Sequence, residues 1–374
     1  MQANVRRLAV LVLLAVVGVG CGGAPPTAGE GESPQNNQAG GAEDPFAAVL
    51  AELEGLEGEE RTERLVELAQ EEGGLNVYTS NTDLAEFSEA FVDAYDLEDV
   101  SVYRAQSNQV LQRLLQESQA GFQGADLVDT NAEELATLNG EGLLREYDGP
   151  AREGLVDASL QEGWTGSRLN IFTVSWNSDL VDRPPTSYQD LADARFKGLM
   201  MMEPRAYEWY MTIAGHLTEE EGMSQEEVDE MFSGMAANSV LVEGNTEHAQ
   251  FLASGEHGVS TSVYNHLVDE LAEDGAPVTR EPPVEPVVVR PNGIGLLKSA
   301  QNPASALLFF EWLLTDGQEL LRDEFRIPAR VELQQGELDG LETVDVDVEQ
   351  LINEGTEWEE RYNELLRNAQ AAGS

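Results

Sequence analysis

The stretch GVSTSVYNH, residues 258–266, is an apolar run that ends on three side chains able to contact a ligand, Tyr264, Asn265 and His266. Because successive side chains of a strand face opposite sides, Tyr264 and His266 share a face if the strand continues that far. An imidazole beside a phenol suits a metal ion. A tyrosine at a strand end also packs half-buried with its hydroxyl hydrogen-bonded. The stretch therefore predicts either a ligand-binding strand end or a packed one.

Polar residues follow other predicted strands as well. The runs LNVYTS, VSVYRA and ADLVDT each precede an amphipathic segment of helical period. This alternation predicts an α/β fold in which helices cover a mainly parallel sheet. Ligands of such sheets bind at the carboxyl ends of the strands. Four candidate ligand-binding residues follow from position alone, with helix capping as the alternative role: Ser80, Asn81, Thr130 and Asn131.

A second alternation begins after NIFTVSWNSDL, and two of its segments carry further candidates. EGNTE places Asn245 or Thr246 at the start of a helix, where free N–H groups and the helix dipole attract an anion. YEWYM as a helix places Tyr207 and Tyr210 on one face and turns Trp209 about 100° away from Tyr210. These aromatic residues cannot all reach one site, so some of them must lie in the core.

The larger organisation predicts two α/β lobes joined by two crossings, at roughly 170–177 and 284–292, with a ligand cleft between them. The second crossing lies in the proline-rich stretch GAPVTREPPVEPVVVRPNG, and its prolines predict that it stays out of the middle of a sheet. Before the lobes, one amphipathic helix is expected. Asp44 caps it, Pro45 takes its first position, and Gly73 and Gly74 end it.

The N-terminus has the pattern of an export signal. Arg6 and Arg7 precede an uncharged apolar run, which is shorter than the ~20 residues that span a bilayer. Cys21, the single cysteine, follows small residues and resembles the lipidated cysteine of bacterial lipoproteins. Residues 1–20 are thus predicted to be a lipoprotein signal peptide. Residues 21–43 are predicted to be the lipidated cysteine and a flexible tether, since they contain no large apolar side chain.

Composition and missing motifs exclude several functions. The chain has 70 Asp and Glu against 21 Lys and Arg, a net charge of −49. Nucleic acid is excluded as a partner because phosphate backbones are bound by basic patches. The acidic field favours cationic ligands, although most of this charge serves solvation. The sequence has no G-x-S-x-G, H-E-x-x-H or phosphate-loop motif. We therefore expect no enzyme, and an exported hydrolase is a remote alternative.

From about Glu60 to Arg330 the sequence resembles the extracellular solute-binding proteins of ABC importers, in the branch with ferric-iron, thiamine and polyamine binders. Four segments carry the resemblance, in order: RLVELAQEEGGLNVYTS, FTVSWNSDLV, YQDLADARFKG and NPASALLFFEWLLTDGQELL. The resemblance implies the periplasmic-binding-protein type II fold, with two lobes of mainly parallel sheet and a hinge of two crossing strands. The expected layout is a first lobe from 44–170 and 286–330, a second lobe from 171–285, and a C-terminal helical segment from 331–374.

The resemblance also implies ligand residues. Iron-binding relatives hold their metal with tyrosines, often a tandem pair at the position of Tyr264. Here Val263 precedes Tyr264 and Asn265 follows it, so one phenolate of the pair is missing. Ferric iron favours phenolate and carboxylate oxygen, so Fe(III) is a candidate cargo. Tyr264 is the expected metal ligand by motif position, Tyr207 is a second expected ligand, and His266 or a cleft carboxylate is expected to complete the set.

The expected function is capture of a small solute by closure of the two lobes, followed by delivery to an ABC permease. The protein is expected to be a monomer, lipid-anchored on the outer face of the cytoplasmic membrane. Two other solutes stay open. One is an organic cation such as a polyamine, held by an aromatic cage drawn from Tyr207, Trp209, Tyr210 and Tyr264, with Glu203, Glu208 or Asp129. The other is a small organic acid. A further possibility is a lipoprotein that kept the fold and lost its ligand.

Overall fold

The computed structural model of this chain describes residues 44–97, 99–334 and 336–373. The chain from Glu43 onward forms one compact unit. The predicted signal peptide, lipidated Cys21 and tether lie outside the described residues. The α-helices of the described part are α1 (Phe46–Leu53), α2 (Gly58–Glu72), α3 (Leu84–Tyr95), α4 (Ser107–Gln119), α5 (Ala132–Gly140), α6 (Tyr207–Glu219), α7 (Gln225–Asn238), α8 (Asn245–Ser254), α9 (Asn265–Glu273), α10 (Pro303–Leu313), α11 (Gly317–Asp323) and α12 (Val348–Gly373).

The strands belong to one mixed sheet with the central order β2-β1-β3-β10-β5-β8-β6-β7. Their bounds are β1 (Leu75–Thr79), β2 (Val100–Arg104), β3 (Leu127–Asn131), β4 (Leu144–Arg145), β5 (Thr165–Asn177), β6 (Met200–Met202), β7 (Ser239–Leu241), β8 (Val259–Tyr264), β9 (Val278–Thr279), β10 (Val287–Leu297), β11 (Ile327–Pro328) and β12 (Thr343–Asp345). We call the elements packed on β1, β2 and β3 the first lobe, and those packed on β6, β7 and β8 the second lobe.

Pairing within each lobe is parallel, as the alternation of strands and helices predicts. β1 pairs in parallel with β2 and β3, and β6 pairs in parallel with β7 and β8. Each lobe has its own apolar core. Phe91, Phe309 and Trp312 pack together in the first lobe, and Trp209 and Phe232 pack in the second. Burial of these large aromatic side chains stabilises each lobe.

The two crossing strands are β5 and β10, which pair antiparallel with each other in the centre of the sheet. Both are buried along their whole length. β10 also pairs with β3 of the first lobe, and β5 also pairs with β8 of the second lobe. The chain therefore crosses between the lobes twice, through strands longer than the predicted segments 170–177 and 284–292.

The expectation that the proline-rich stretch stays out of the middle of the sheet was wrong. Pro291 lies within β10, opposite Leu169 of β5. On its other edge, β10 pairs with β12 up to Val289 and with β3 only from Asn292. Pro291 thus falls in the gap between two partner strands, where the hydrogen bond that proline cannot donate is not required.

The single N-terminal helix that the pattern predicts is two helices in the structure. The Asp44 side chain accepts a hydrogen bond from the Phe46 amide at 3.0 Å, and Gly73 ends α2 in the left-handed conformation, φ 78°. Between these ends the chain turns at Gly55, φ 80°, a backbone region that favours glycine. The residues at the two outer ends were predicted correctly. The break between α1 and α2 was not, because the sequence does not show whether a glycine adopts a positive φ or a helical conformation.

The C-terminal segment contains a strand as well as the predicted helix. β12 pairs with β10, and α12 then packs on α6 and α7 of the second lobe and on α5 of the first. Its apolar face is buried in the second-lobe core, where the stacked rings of Tyr362 and Tyr210 lie 5.2 Å apart between centroids. The helix is therefore an integral wall of the folded unit. Among the described residues, no helix is both long enough and apolar enough to cross a membrane.

Candidate functional site

A cavity of about 500 Å³ lies between the lobes at the carboxyl ends of their strands. Ser80 follows β1, Glu203 follows β6, and the last residues of β2, β3 and β8 also line the cavity, Arg104, Asn131 and Tyr264. This is the edge at which open α/β sheets bind their ligands. The sheet order therefore gathers residues that lie far apart in the sequence.

Most residues predicted from the sequence line this cavity. Those that do are Tyr264, Tyr207, Asn245, Thr246, Ser80, Asn81, Asn131 and His266. Thr130 is buried behind the wall, where its hydroxyl lies 2.9 Å from the Ser80 hydroxyl and helps to position it. The aromatic cage does not form as a set, since Trp209 and Tyr210 are buried in the second-lobe core and only Tyr207 and Tyr264 reach the cavity.

Five helices begin at the cavity wall: α4, α5, α6, α8 and α9. The free N–H groups and the dipole of a helix N-terminus favour negative charge. The first turns of α5, α6 and α8 carry Glu residues that offset this field, whereas those of α4 and α9 carry none. The starts of α4 and α9 are thus more favourable to an anion than the other three, and His266 lies at the start of α9.

Two buried guanidinium groups lie beside that part of the wall. Arg168 of β5 is 2% exposed and donates two hydrogen bonds of 2.9 Å to Asp129. Arg326 donates to Asp83 at 2.9 Å and to the Asn81 side chain at 3.3 Å. Burial and the charges of both arginines hold the pKa of His266 well below its usual range. We call Arg168 and Arg326, together with the neutral imidazole of His266, the cationic end of the cavity.

Arg290 of β10 lines the cavity and connects the lobes. Its guanidinium donates to the Tyr264 hydroxyl at 2.6 Å and to the Asn131 side chain at 3.2 Å, and it forms an ion pair with Glu208. Burial raises the pKa of Tyr264. The Tyr264 ring also stacks on His266, with centroids 5.8 Å apart. Tyr264 is thus a neutral phenol that accepts a hydrogen bond from a cation.

Carboxylates gather in another part of the wall. Glu133 and Glu134 lie in the first turn of α5, Glu208 lies in that of α6, and Glu359 of α12 also lines the cavity. The charges that act most strongly on Glu134 are those of Glu133, Arg290 and Glu208, whereas those acting on His266 are Arg326 and Arg168. We call Glu133, Glu134, Glu208 and Glu359 the acidic end of the cavity.

Two of the carboxylates proposed above for an organic cation are already occupied. Asp129 is fully buried in its pairing with Arg168. Glu203 accepts hydrogen bonds from the backbone amides of Arg205 and Gly244. Glu208 remains at the cavity with one oxygen free of hydrogen bonds. Within residues 44–97, 99–334 and 336–373, no three His, Cys, Asp or Glu side chains are grouped as a metal site.

The sequence reasoning missed the three arginines. Arg168 and Arg290 interrupt strands that are otherwise buried, and a charge in a buried strand needs a partner or a ligand. A charged residue inside an apolar strand could therefore have identified Arg168 and Arg290 from the sequence. Nothing in the sequence around Arg326 identified it, because its partner Asp83 lies 243 residues earlier in the chain.

The comparisons with known proteins agree with this architecture. The family model described as "Bacterial extracellular solute-binding protein" matches residues 137–343, more than half of the chain. The chain belongs to this family. The resemblance found in the sequence is thereby confirmed, and this solute-binding protein is of a kind that works outside the cytoplasm. A comparison with curated protein sequences finds no significant match.

Solved structures with the same architecture include AfuA of Actinobacillus pleuropneumoniae with fructose-6-phosphate, at TM-score 0.69 and 20% identity, covering 79% of this chain and 99% of that one. Iron-bound HitA of Pseudomonas aeruginosa has TM-score 0.63 and 19% identity, covering 77% and 99%. A substrate-binding protein of an ABC transporter from Agrobacterium tumefaciens has TM-score 0.68 and 15% identity, covering 80% and 97%. At these identities the likeness establishes the fold, which is the predicted type II periplasmic-binding fold.

Proposed function

We propose that this solute-binding protein captures a small organic acid, bearing a carboxylate or phosphate group, between its lobes and delivers it to an ABC permease. The carrying observation is the set of buried guanidinium groups on the cavity wall, Arg168, Arg290 and Arg326, which are 2%, 1% and 7% exposed. Guanidinium groups suit acid oxygens because their N–H groups match the geometry of carboxylates and phosphates.

Two features support placing the acid group at the cationic end. The Arg168 Nε and the Asn81 Nδ2 lie there without a hydrogen-bond partner, and both side chains are more than nine-tenths buried. A buried donor without a partner is costly, and an acid oxygen of the solute would satisfy it. The start of α9 adds backbone N–H groups with no acidic residue in the first turn.

Ferric iron is the second candidate, and the iron-bound HitA structure is the observation that favours it. The donor chemistry of this cavity fits iron less well. A ferric ion at Tyr264 would lie beside the Arg290 guanidinium, which already donates to the hydroxyl at 2.6 Å. Burial further opposes loss of the phenol proton that iron binding requires. We therefore rank the organic acid first.

The mode of action follows from the crossing strands. Both lobes contribute to the cavity wall, and β5 and β10 are the strands through which they connect. A solute that contacts both lobes binds the closed arrangement more tightly than the open one, and it therefore shifts the equilibrium toward the closed arrangement. The protein supplies binding and release, and we propose no chemical reaction.

We also propose that Cys21 carries a lipid anchor and that the protein is a monomer. The anchor is tested with Cys21→Ser, which should release the protein from the membrane.

The proposal is tested by thermal unfolding and calorimetry on the chain from Glu43 onward, which forms one compact unit. The compounds are monocarboxylates, dicarboxylates, sugar phosphates, ferric citrate and putrescine. A solute at 100 times its Kd raises the free energy of unfolding by about 2.7 kcal/mol. We expect this stabilisation from at least one acid.

The matched variants are Arg326→Met, at the cavity, and Arg322→Met, on α11 and away from the cavity. We expect acid binding to weaken at least tenfold in Arg326→Met and to be unchanged in Arg322→Met. If ferric citrate alone stabilises the protein, and a visible phenolate-to-iron absorption band is lost in Tyr264→Phe, then the solute is iron and the organic-acid proposal is wrong. Stabilisation by putrescine alone would replace it with an organic cation.

A further inference from the structure

The acidic end of the cavity holds hydrogen-bond acceptors that the protein leaves unused. Glu134 is 5% exposed and Glu208 is 7% exposed, and in each the Oε2 atom has no partner. Both side chains line the cavity. An ionised carboxylate accepts hydrogen bonds and donates none. A group that satisfies the ionised form of both carboxylates must therefore be a donor, and a cationic donor also offsets their charge.

The side-chain polar atoms that lack a hydrogen-bond partner differ between the two ends of the cavity. At the cationic end the free Arg168 Nε is a donor that cannot accept, and at the acidic end the free oxygens belong to Glu134 and Glu208. Three asparagines of the cavity wall, Asn108, Asn170 and Asn245, also have a side-chain oxygen without a partner. A side-chain amide can present either its oxygen or its nitrogen to a ligand. The cavity is thus complementary to a molecule with an acid group at one end and a cationic donor at the other.

We propose that Glu134, Glu208 and Glu359 bind a cationic group, such as a primary ammonium, of the same solute whose acid group lies at Arg168 and Arg326. The solute is then a zwitterion. This inference rests on the proposed function, because it assigns the second half of a molecule whose first half is the acid.

The C-terminal helix supplies part of this site, although it lies beyond the matched family region, which ends at residue 343. α12 is fixed by the Tyr362 hydroxyl, which donates to the Glu203 carbonyl at 3.0 Å, and by the Trp358 ring against Tyr210. Glu359 lies between these two anchors in the sequence and lines the cavity. We infer that α12 helps to determine which solutes this protein accepts.

Protonation of Glu134 gives the inference an independent readout. Burial, and next the charge of Glu133, raise the pKa of Glu134 to about 7, while Ser107 and Arg290 oppose the rise and Glu208 adds to it. A bound ammonium favours the ionised carboxylate. Binding of the cationic group near pH 7 is therefore expected to release a proton into the buffer.

The experiment compares pairs of probes that differ in one amine. The pairs are glucosamine 6-phosphate with glucose 6-phosphate, phosphoethanolamine with ethyl phosphate, and 4-aminobutyrate with butyrate. We expect the amine member of a bound pair to bind at least tenfold more tightly. Calorimetry in two buffers of different ionisation enthalpy should show more proton release with the amine member than with its amine-free partner.

Three variants separate the site from the fold. Glu134→Gln keeps the side-chain volume and resembles the protonated carboxyl, and Glu359→Gln changes an exposed residue. Glu357→Gln is the matched control on the same helix and does not line the cavity. The amine preference should be lost in the first two variants and kept in the third.

The outcomes are distinguishable. If the acids bind but both members of every bound pair bind equally, the zwitterion inference is overturned and the organic-acid function stands. If the amine preference survives in both Glu134→Gln and Glu359→Gln, the cationic group lies elsewhere and the inference fails. If no probe and no acid of the earlier panel binds, the proposed function itself fails and this inference fails with it.

Discussion

Glu134→Gln is expected to change how the stability of the protein depends on pH. Glu134 is 5% exposed, and burial together with Glu133 raises the pKa of its carboxyl from 4.5 to about 7. The folded state thus binds a proton that the unfolded state has lost between these two pH values. The stability that depends on this proton is present in full below pH 4.5 and is lost as the pH rises through about 7.

The size of the effect follows from the same values. A tenfold change in proton affinity corresponds to about 1.4 kcal/mol, so ionising the buried Glu134 carboxyl costs about 3 kcal/mol. Glutamine cannot ionise. The variant is therefore expected to gain stability relative to the natural protein by about 2–3 kcal/mol between pH 5 and pH 8.5.

The assay is urea unfolding of both proteins at pH 5, 6, 7, 8 and 8.5, with the difference in free energy of unfolding plotted against pH. Glu141→Gln, at an exposed position just after α5, controls for the removal of one surface charge. A difference that stays flat with pH would refute the raised pKa. A variant that becomes less stable as pH rises would show that Arg290 holds Glu134 ionised in the folded state.

Three further outcomes are expected from single substitutions. Arg290→Met leaves Glu208 buried without its ion-pair partner, and its free energy of unfolding should fall by about 3–5 kcal/mol in urea unfolding. Tyr362→Phe removes the 3.0 Å hydrogen bond to the Glu203 carbonyl and should cost about 1 kcal/mol in the same assay. Burial lowers the pKa of His248 to about 4. As pH falls from 6.5 to 4 the unfolded state binds a proton that the folded state does not, so the natural protein loses stability. In His248→Gln this loss should shrink by about 3 kcal/mol. An unchanged urea midpoint in Arg290→Met or Tyr362→Phe would contradict the stabilising role of the ion pair or of the hydrogen bond. An unchanged loss of stability between pH 6.5 and pH 4 in His248→Gln would contradict the lowered pKa of His248.

The alternation of short strands with amphipathic helices was sufficient to predict the fold. Each strand that ends in polar residues, such as LNVYTS, marks the edge where a parallel sheet binds its ligand. For that reason Ser80, Asn131 and Tyr264 could be placed at the cavity before the structure was known. Their positions depend on local pattern and on strand direction, both of which a single sequence carries.

The charges of the cavity depend on contacts that a single sequence does not carry. Arg326 and Asp83 pair across 243 residues, and Arg290 connects α6 to the ends of β3 and β8. Glu134 is one of 70 acidic residues, and only its burial distinguishes it. The break between α1 and α2 was missed for a similar reason, because the positive φ of Gly55 is not visible in its residue type.

The most direct test of the central claim is a crystal structure of this protein purified from its native host without added ligand. We predict density for a small organic molecule in the cavity, with an acid group within hydrogen-bond distance of Arg168 and Arg326. A single metal ion bound to the Tyr264 oxygen, with Arg290 displaced from it, would contradict the claim and identify an iron carrier.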